Sequence, residues 1–332
     1  IDETTTALSQ EGREELYKHM NRIRESGNTV IFISHDLPEI LDKSDTITIL
    51  RDGVYIDTVK SADVTEDDLK RLMVGREVTG DYYRADYGEK VSDEVVLSVK
   101  DVTVPGLIED VSFDLHKGEI LGFGGLSESG MHEIGKAIFG ASYDRTGKVV
   151  LADGTEINDI PTAIKHSIAY TSKDRDNESV VLNQSIGDNI CLPSLDELAG
   201  KTHMLSDKKL KEFSNKFAKQ MSVKMVNVDQ FVSDLSGGNK QKVVLARWIG
   251  KDSDIVVLDS PTRGIDIKVK QDIYQLMNQM RKNGKSIIMI SEELMELIGM
   301  CDRIVIMKDG KISGELERSK QLDENSLITM MV

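Results

Sequence analysis

The chain repeats part of itself. The segment from Asp2 to Gly53 lies over Asp259 to Gly310 at a constant offset of 257 without a gap, and 17 of the 52 aligned pairs are identical. Unrelated sequences would share about 3. Asp2 falls on Asp259, Gly27 on Gly284, Ser34 on Ser291 and Asp45 on Asp302, and Asp52-Gly53 recurs as Asp309-Gly310. A common rhythm of helix and strand does not produce such identities. The two segments are therefore copies of one domain, and the chain is expected to fold as two related units.

The second copy reads as complete from about Val95 to the C-terminus, whereas the first enters at the equivalent of residue 258. Subtracting 95 from 258 predicts about 160 residues upstream of Ile1, which is itself not a start methionine. The expected organisation is the C-terminal part of a first domain at 1–75, a polar, tyrosine-containing linker at 76–94 and a second domain at 95–332, the whole being the C-terminal portion of a longer tandem protein.

Short apolar runs bounded by polar residues, Val30 to Ile33, Ile120 to Phe123, Ile255 to Leu258 and Ile287 to Ile290, have the pattern of buried parallel strands. Helical stretches alternate with them. Lys268 to Asn283 places Val269, Ile273, Leu276 and Met280 on one face, with Gly284 as the C-cap. Ahead of residue 120, Leu97, Val99, Val102, Val111, Phe113 and Leu115 alternate with polar neighbours and predict an additional antiparallel layer. The fold class is α/β of a nucleotide-binding type.

Charge and cysteine usage exclude other classes. With 57 acidic against 42 basic residues the net charge is −15, which repels a nucleic-acid backbone. No window approaches the roughly 18 uninterrupted apolar residues of a membrane span. Cys191 and Cys301 are far apart and lack metal-ligand spacing, and His19, His116, His166 and His203 show no i, i+4 pairing, so neither a disulfide framework nor zinc is expected. The 14 methionines read as core filler.

The strand Glu119 to Phe123 runs into Gly125-Leu126-Ser127-Glu128-Ser129-Gly130-Met131-His132 and then a helix, the glycine spacing of a phosphate-binding P-loop. The lysine that neutralises phosphate and the Ser/Thr that holds Mg²⁺ are replaced by Met131 and His132. Glu128 adds a negative charge beside them. Lys136 lies further along the helix and is read as a surface residue.

A more specific motif is Leu235-Ser236-Gly237-Gly238-Asn239-Lys240-Gln241-Lys242, followed by the apolar strand Ile255 to Leu258, Asp259 and Pro261-Thr262. Ser236 and Gly237 open a helix there, so hydroxyl and amide groups can donate to a phosphate at the positive end of the helix dipole. Lys117-Gly118-Glu119 and Ser34-His35 stand in the matching order around it. This set resembles the signature motif, Walker B strand and flanking motifs of the ATP-binding cassette (ABC) ATPases, over essentially the whole chain. The tandem layout, the Leu-Ser-Gly-Gly-Asn-x-Gln-Lys form, Pro261-Thr262-Arg263-Gly264 and the lysine-free second P-loop resemble, within that family, the ATPases of ribose, galactose and xylose importers. The resemblance implies a P-loop NTPase (ABC ATPase) fold with a RecA-like core, an antiparallel β layer and a helical subdomain.

It also implies two composite ATP sites, each made by the P-loop and Walker B of one half and the signature of the other, with ATP and Mg²⁺ as cofactors. For the first, Asp2 matches the Walker B carboxylate that orients Mg²⁺, Glu3 the carboxylate that positions or deprotonates the attacking water, and His35 the switch histidine on the γ-phosphate. The signature residues Leu235, Ser236, Gly237, Gly238, Asn239 and Gln241 would complete it. The second site, on Gly125, Ser129, Gly130, Met131 and His132, keeps Asp259 as its metal carboxylate. It has Ser260 where Glu3 stands, Glu292 where His35 stands, and Lys173 where a glutamine or glutamate is expected. Thr4, in place of the usual proline, is a further departure. Every deficiency lies in the second site while the signature serving the first is intact, so one hydrolysing and one degenerate site are expected.

The implied role is the ATPase of a monosaccharide importer, peripheral on the cytoplasmic face of the membrane. Its partners would be transmembrane permease subunits, contacted through Ser172 to Leu192, and indirectly a sugar-binding protein, with no nucleic acid. The 332 residues alone, with no complete P-loop, would hydrolyse ATP negligibly. The alternative is a soluble twin-cassette factor acting on ribosomes, which would keep both sites catalytic and carry a basic linker. Here acidic residues outnumber basic ones over 76–94.

Overall fold

The computed structural model describes residues 1, 10–34, 36–51, 54–74, 82–87 and 90–331. Asp2, Glu3, Thr4 and His35 lie outside the described residues. The chain divides into two units, the first comprising Ile1–Tyr82 with Gly264–Asp272 and the second Tyr83–Arg263 with Ile273–Val332.

In the first unit the helix Gln10–Glu25 is followed by the short helix Leu37–Lys43, the hairpin β1 (Thr46–Arg51) and β2 (Val54–Lys60), and the helix Glu66–Val74. Leu37, Ile47, Ile49, Leu69 and Ile267 form its buried core. Val30 to Ile33 departs from expectation: it is not a strand. Ile31 and Ile33 are 77% and 52% exposed, and among the described residues the segment meets Ile1, through Ile1 N to Ile31 O at 3.0 Å and Ile33 N to Ile1 O at 2.8 Å. Its counterpart Ile287–Ile290 is buried because parallel strands flank it on both sides. Among the described residues the first unit offers this run no such neighbours.

The second unit opens with β3 (Val95–Val104) and β4 (Ile108–His116), which with β6 (Thr146–Leu151) make an antiparallel sheet in the order β4-β3-β6. The alternating residues Leu97, Val99, Val102, Val111, Phe113 and Leu115 all face its core. A larger sheet contains β5 (Ile120–Gly125), β7 (Ile168–Thr171), β8 (Ile255–Asp259), β9 (Ser286–Ile290), β10 (Arg303–Lys308) and β11 (Lys311–Glu317), in the order β11-β10-β5-β9-β8-β7. Its strands are parallel apart from the β10–β11 hairpin. Every residue of β5, β8 and β9 is buried, which is why these runs carry no polar alternation. The rings of Phe113 and Phe123 meet edge-on at 4.9 Å and join the two sheets. The helices Ile186–Cys191, Asp207–Gln220 and Gly237–Lys251 form a helical subdomain in which Gly250 leaves room for Phe213 and Phe217.

The repeat is visible in detail. The β1–β2 hairpin pairs Thr46 with Lys60 and slips between Ile49 and Leu50; β10–β11 pairs Arg303 with Glu317 and slips between Ile306 and Met307. Each number differs by the same 257. The helix Ile267–Lys282 ends before Gly284 at φ +82°, as expected. Its buried stripe in the second unit is centred on Ile273, Tyr274 and Met277, one position round from the predicted face.

Candidate functional site

In the second unit the register of the parallel strands brings the motif residues to one edge. Phe123 of β5 and Asp259 of β8 both pair with Ile290 of β9, so the loop after Gly125, the carboxylate of Asp259 and the Ser291-Glu292 turn leave the sheet side by side. Such C-terminal strand edges are where ligands bind in open α/β sheets. Beside them lies a cavity of about 550 Å³ lined by Gly106, Leu107, Ser127, Glu128, Gly130, His132, Glu133, Lys136, Ser172, Lys173, Asp174, Glu178 and Asp259.

The loop is a P-loop in backbone and something else in side chains. Gly130 sits at φ +87° at the start of the helix Met131–Ile138, and a Cβ there would press on Leu107 O. At Gly125 a Cβ would collide with Ser129 Oγ, itself buried and without a hydrogen-bond partner. Met131, at the lysine position, is fully buried in the core and offers nothing to a phosphate.

His132 takes over the centre. Its Nδ1 lies 2.7 Å from Asp259 Oδ1 and its Nε2 3.2 Å from Glu292 Oε1. Carboxylate oxygens only accept, so a ring between two of them is placed to donate through both nitrogens, an arrangement that favours its protonated form. Burial works against that charge, but the hydrogen bonds to Asp259 and Glu292 outweigh it and raise the His132 pKa. Glu292 is held down to about 2, first by its hydrogen bond to His132. Ser127 Oγ donates to the same Glu292 oxygen at 3.2 Å, and Lys173 Nζ lies 4.0 Å from it. Ser260, in a left-handed backbone conformation, turns its hydroxyl onto Asp259 Oδ1 at 3.2 Å. The structure thus gathers Gly125, Ser129, Gly130, His132, Lys173, Asp259, Ser260 and Glu292 at one place.

The residues present do not fit a bound Mg²⁺ there. A magnesium ion takes hard oxygen ligands in a near-octahedral shell. The hydroxyl that would supply one is an imidazole, and that imidazole already occupies Asp259 Oδ1. Among the described residues no group of three or more His, Cys, Asp or Glu side chains is arranged to hold a metal.

Sequence reasoning missed part of this site. Lys136 is not a free surface residue: it lines the cavity and its Nζ meets Glu178 Oε1 at 3.1 Å. It lies four residues after His132, so the helical period was the available signal.

The signature forms a separate surface of the second unit. Ser236 occupies the N-cap of the helix Gly237–Lys251 with β-region angles, yet its side chain caps no backbone N–H. Its oxygen instead accepts from Asn239 Nδ2 at 2.9 Å, while Asn239 Oδ1 accepts from Lys224 N at 2.8 Å. Ser236 therefore does not act as a simple helix cap. Ser236 is exposed, and among the described residues no side chain caps the N-terminus of this 15-residue helix, the positive end of its dipole. Leu235 and Gln241 are buried beneath.

The same helix grips the segment from Ser172 to Leu192. Lys240 Nζ reaches Asp176 Oδ2 at 2.8 Å. Arg247, buried, donates through Nε to Asn189 O at 2.6 Å, through Nη1 to Ser179 O at 2.6 Å and through Nη2 to Asn189 Oδ1 at 3.0 Å. Burial pulls the Arg247 pKa down to about 10. Val181 and Leu192 in the gripped segment are about half exposed.

Comparison with known proteins agrees with this geometry. Residues 108–263 match the family model described as ABC transporter. Among solved structures, a nucleotide-free ATP-binding cassette from an ABC transporter superposes with a TM-score of 0.59 at 18% identity, covering 72% of this chain and 99% of that one. A dimeric bacterial ABC transporter cassette does so with 0.59 at 20%, covering 67% and 99%. A strand-edge P-loop, a Walker B carboxylate and an open signature helix on that fold define an ATP-binding cassette. The chain is 41% identical to a ribose import ATP-binding protein of Lacticaseibacillus paracasei over 99% of its own length and 65% of that protein's. It is 41% identical to a xylose import ATP-binding protein of Thermoanaerobacter pseudethanolicus over 95% and 63%. It thus spans just under two thirds of the length of these relatives. The chain belongs to the ABC transporter family of ATP-binding proteins. No helix among the described residues is long and apolar enough to cross a membrane.

Proposed function

We propose that this chain is part of the ATP-hydrolysing subunit of a monosaccharide importer, built of two cassettes, and that it works on the cytoplasmic face of a membrane permease. The observation that carries the reading is the signature helix, open to phosphate at Ser236–Gly237 and tied along its length to the segment proposed to touch the permease.

Hydrolysis belongs to the first composite site. Glu3 positions the attacking water and takes its proton, His35 donates to the γ-phosphate, and the amides and hydroxyl at Ser236–Gly237 receive the developing charge on the phosphoryl oxygens. Water attacks in line, the bond to ADP breaks, and no covalent intermediate forms. Asp2 would hold Mg²⁺, which supplies charge neutralisation when bound. ATP differentially favours the closed arrangement, and that difference does the mechanical work. Motion of the signature helix passes through Lys240–Asp176 and Arg247–Ser179/Asn189 to Val181 and Leu192, which meet the permease. A sugar-binding protein delivers the substrate from the other side.

In the complete polypeptide Glu3→Gln is expected to reduce ATP turnover at least about 100-fold, the share of a positioned general base. Ser260→Glu alone restores no second activity. Turnover retained in purified Glu3→Gln overturns the assignment.

A further inference from the structure

The degenerate site is not merely stripped of chemistry; its centre is filled. In a working P-loop site a divalent cation bridges the Walker B carboxylate and the terminal phosphate, while the loop's donors hold that phosphate. Here the His132 ring bridges Asp259 Oδ1 and the Glu292 carboxylate, and a loop serine, Ser127, donates to that carboxylate. We propose that His132 and Glu292 act as an internal stand-in for the metal and the terminal phosphate, so that the second site keeps its loop, Walker B strand and 292 turn tied together while taking neither Mg²⁺ nor ATP.

The charges around the cavity agree. Glu128, Glu133, Asp174, Glu178 and Asp259 line it against His132, Lys136 and Lys173. Lys136 is engaged by Glu178, and Lys173 faces Glu292. An incoming triphosphate would meet a wall whose cations are already committed, without the lysine that Met131 replaces. The repeat sharpens the point: Ser260 and Glu292 stand where the first copy has Glu3 and His35, and both turn toward the Asp259–His132 pair. The lost catalytic positions have become members of the internal bridge.

The inference rests on the cassette reading proposed above, whose own test, Glu3→Gln, touches none of these residues. The experiment is equilibrium titration of the 332-residue chain with a fluorescent ATP analogue, with Mg²⁺ and with EDTA. The wild-type chain is expected to show no saturable binding in either condition. Saturable binding blocked by unlabelled ATP, with or without metal, overturns the proposal. The companion variant Met131→Lys/His132→Thr/Glu292→Ser opens the site and is expected to gain binding that tightens at least about tenfold on adding Mg²⁺. If that variant is folded by circular dichroism and still binds nothing, the exclusion does not lie in these side chains and the proposal falls. If it does not fold, the wild-type titration alone decides.

Discussion

In the first copy Glu39 gathers the hydroxyls of Ser34, at 2.7 Å, and Tyr17; in the second, 257 residues on, Glu296 gathers Ser291, at 2.8 Å, and Tyr274. The next turn is built alike, with Asp36 N donating to Ser34 Oγ at 3.1 Å and Glu293 N to Ser291 Oγ at 3.0 Å. Between these matched anchors stands the position that differs, His35 in one copy and Glu292 in the other. The duplicated carboxylate holds the switch turn in place whatever residue the turn presents. Divergence of chemistry on a retained scaffold follows, because the hydroxyls that Glu39 and Glu296 accept from stand at positions the two copies share.

The two networks differ in burial, and that difference can be measured. Glu296 is 1% exposed and also accepts from Thr262, so Glu296→Ala strands three buried hydroxyls. A destabilisation of about 3–5 kcal/mol is expected by urea unfolding, at about 1–3 kcal/mol per stranded group with partial relaxation. Glu39→Ala, in a part-buried network, is expected to cost about 1–2 kcal/mol. Equal losses would break the comparison.

Next in size is Arg247→Met. It leaves Ser179 O and both acceptors of Asn189 without their buried cation and is expected to cost about 2–4 kcal/mol. In the complete protein it should uncouple ATP turnover from transport; transport per ATP unchanged would remove Arg247 from the coupling path.

A smaller effect concerns the start of the second unit, where Arg84, buried, bridges Asp86 at 2.9 Å and Asp302 at 2.7 Å and donates to Met300 O. Burial alone would raise the Asp86 pKa, but Arg84 overrides it and holds the group at about 2. The unfolded value is about 3.9, so this contribution is complete above that pH and is lost as pH falls through about 2. Acid melts of wild type and Asp86→Asn are expected to differ in midpoint near neutrality and to converge below about pH 2. A constant gap would contradict it.

Much of this was legible in the sequence because the relevant signals were local. Continuous apolar runs gave β5, β8 and β9, the glycine spacing gave the loop before His132, and the constant offset gave the paired hairpins down to the same slip in register. Val30 to Ile33 departs from the expectation because an apolar run marks a segment that would suit a buried strand, and among the described residues no strand lies alongside it. The His132–Asp259–Glu292 bridge was not legible either. Its members stand 127 and 160 residues apart, and only the order of strands in the sheet makes them neighbours. Arg247 could have been flagged, as a cation among the buried positions Val243, Val244 and Ala246 of its helix.

The central claim is that the two composite sites are unequal, and it is tested most directly by counting nucleotide. In the intact polypeptide carrying Glu3→Gln, saturated with Mg²⁺ and radiolabelled ATP and freed of unbound ligand, the account predicts one ATP per polypeptide, cross-linking to peptides of the Leu235–Asn239 signature. Two ATP per polypeptide, with label on the Gly125–His132 loop, would contradict it.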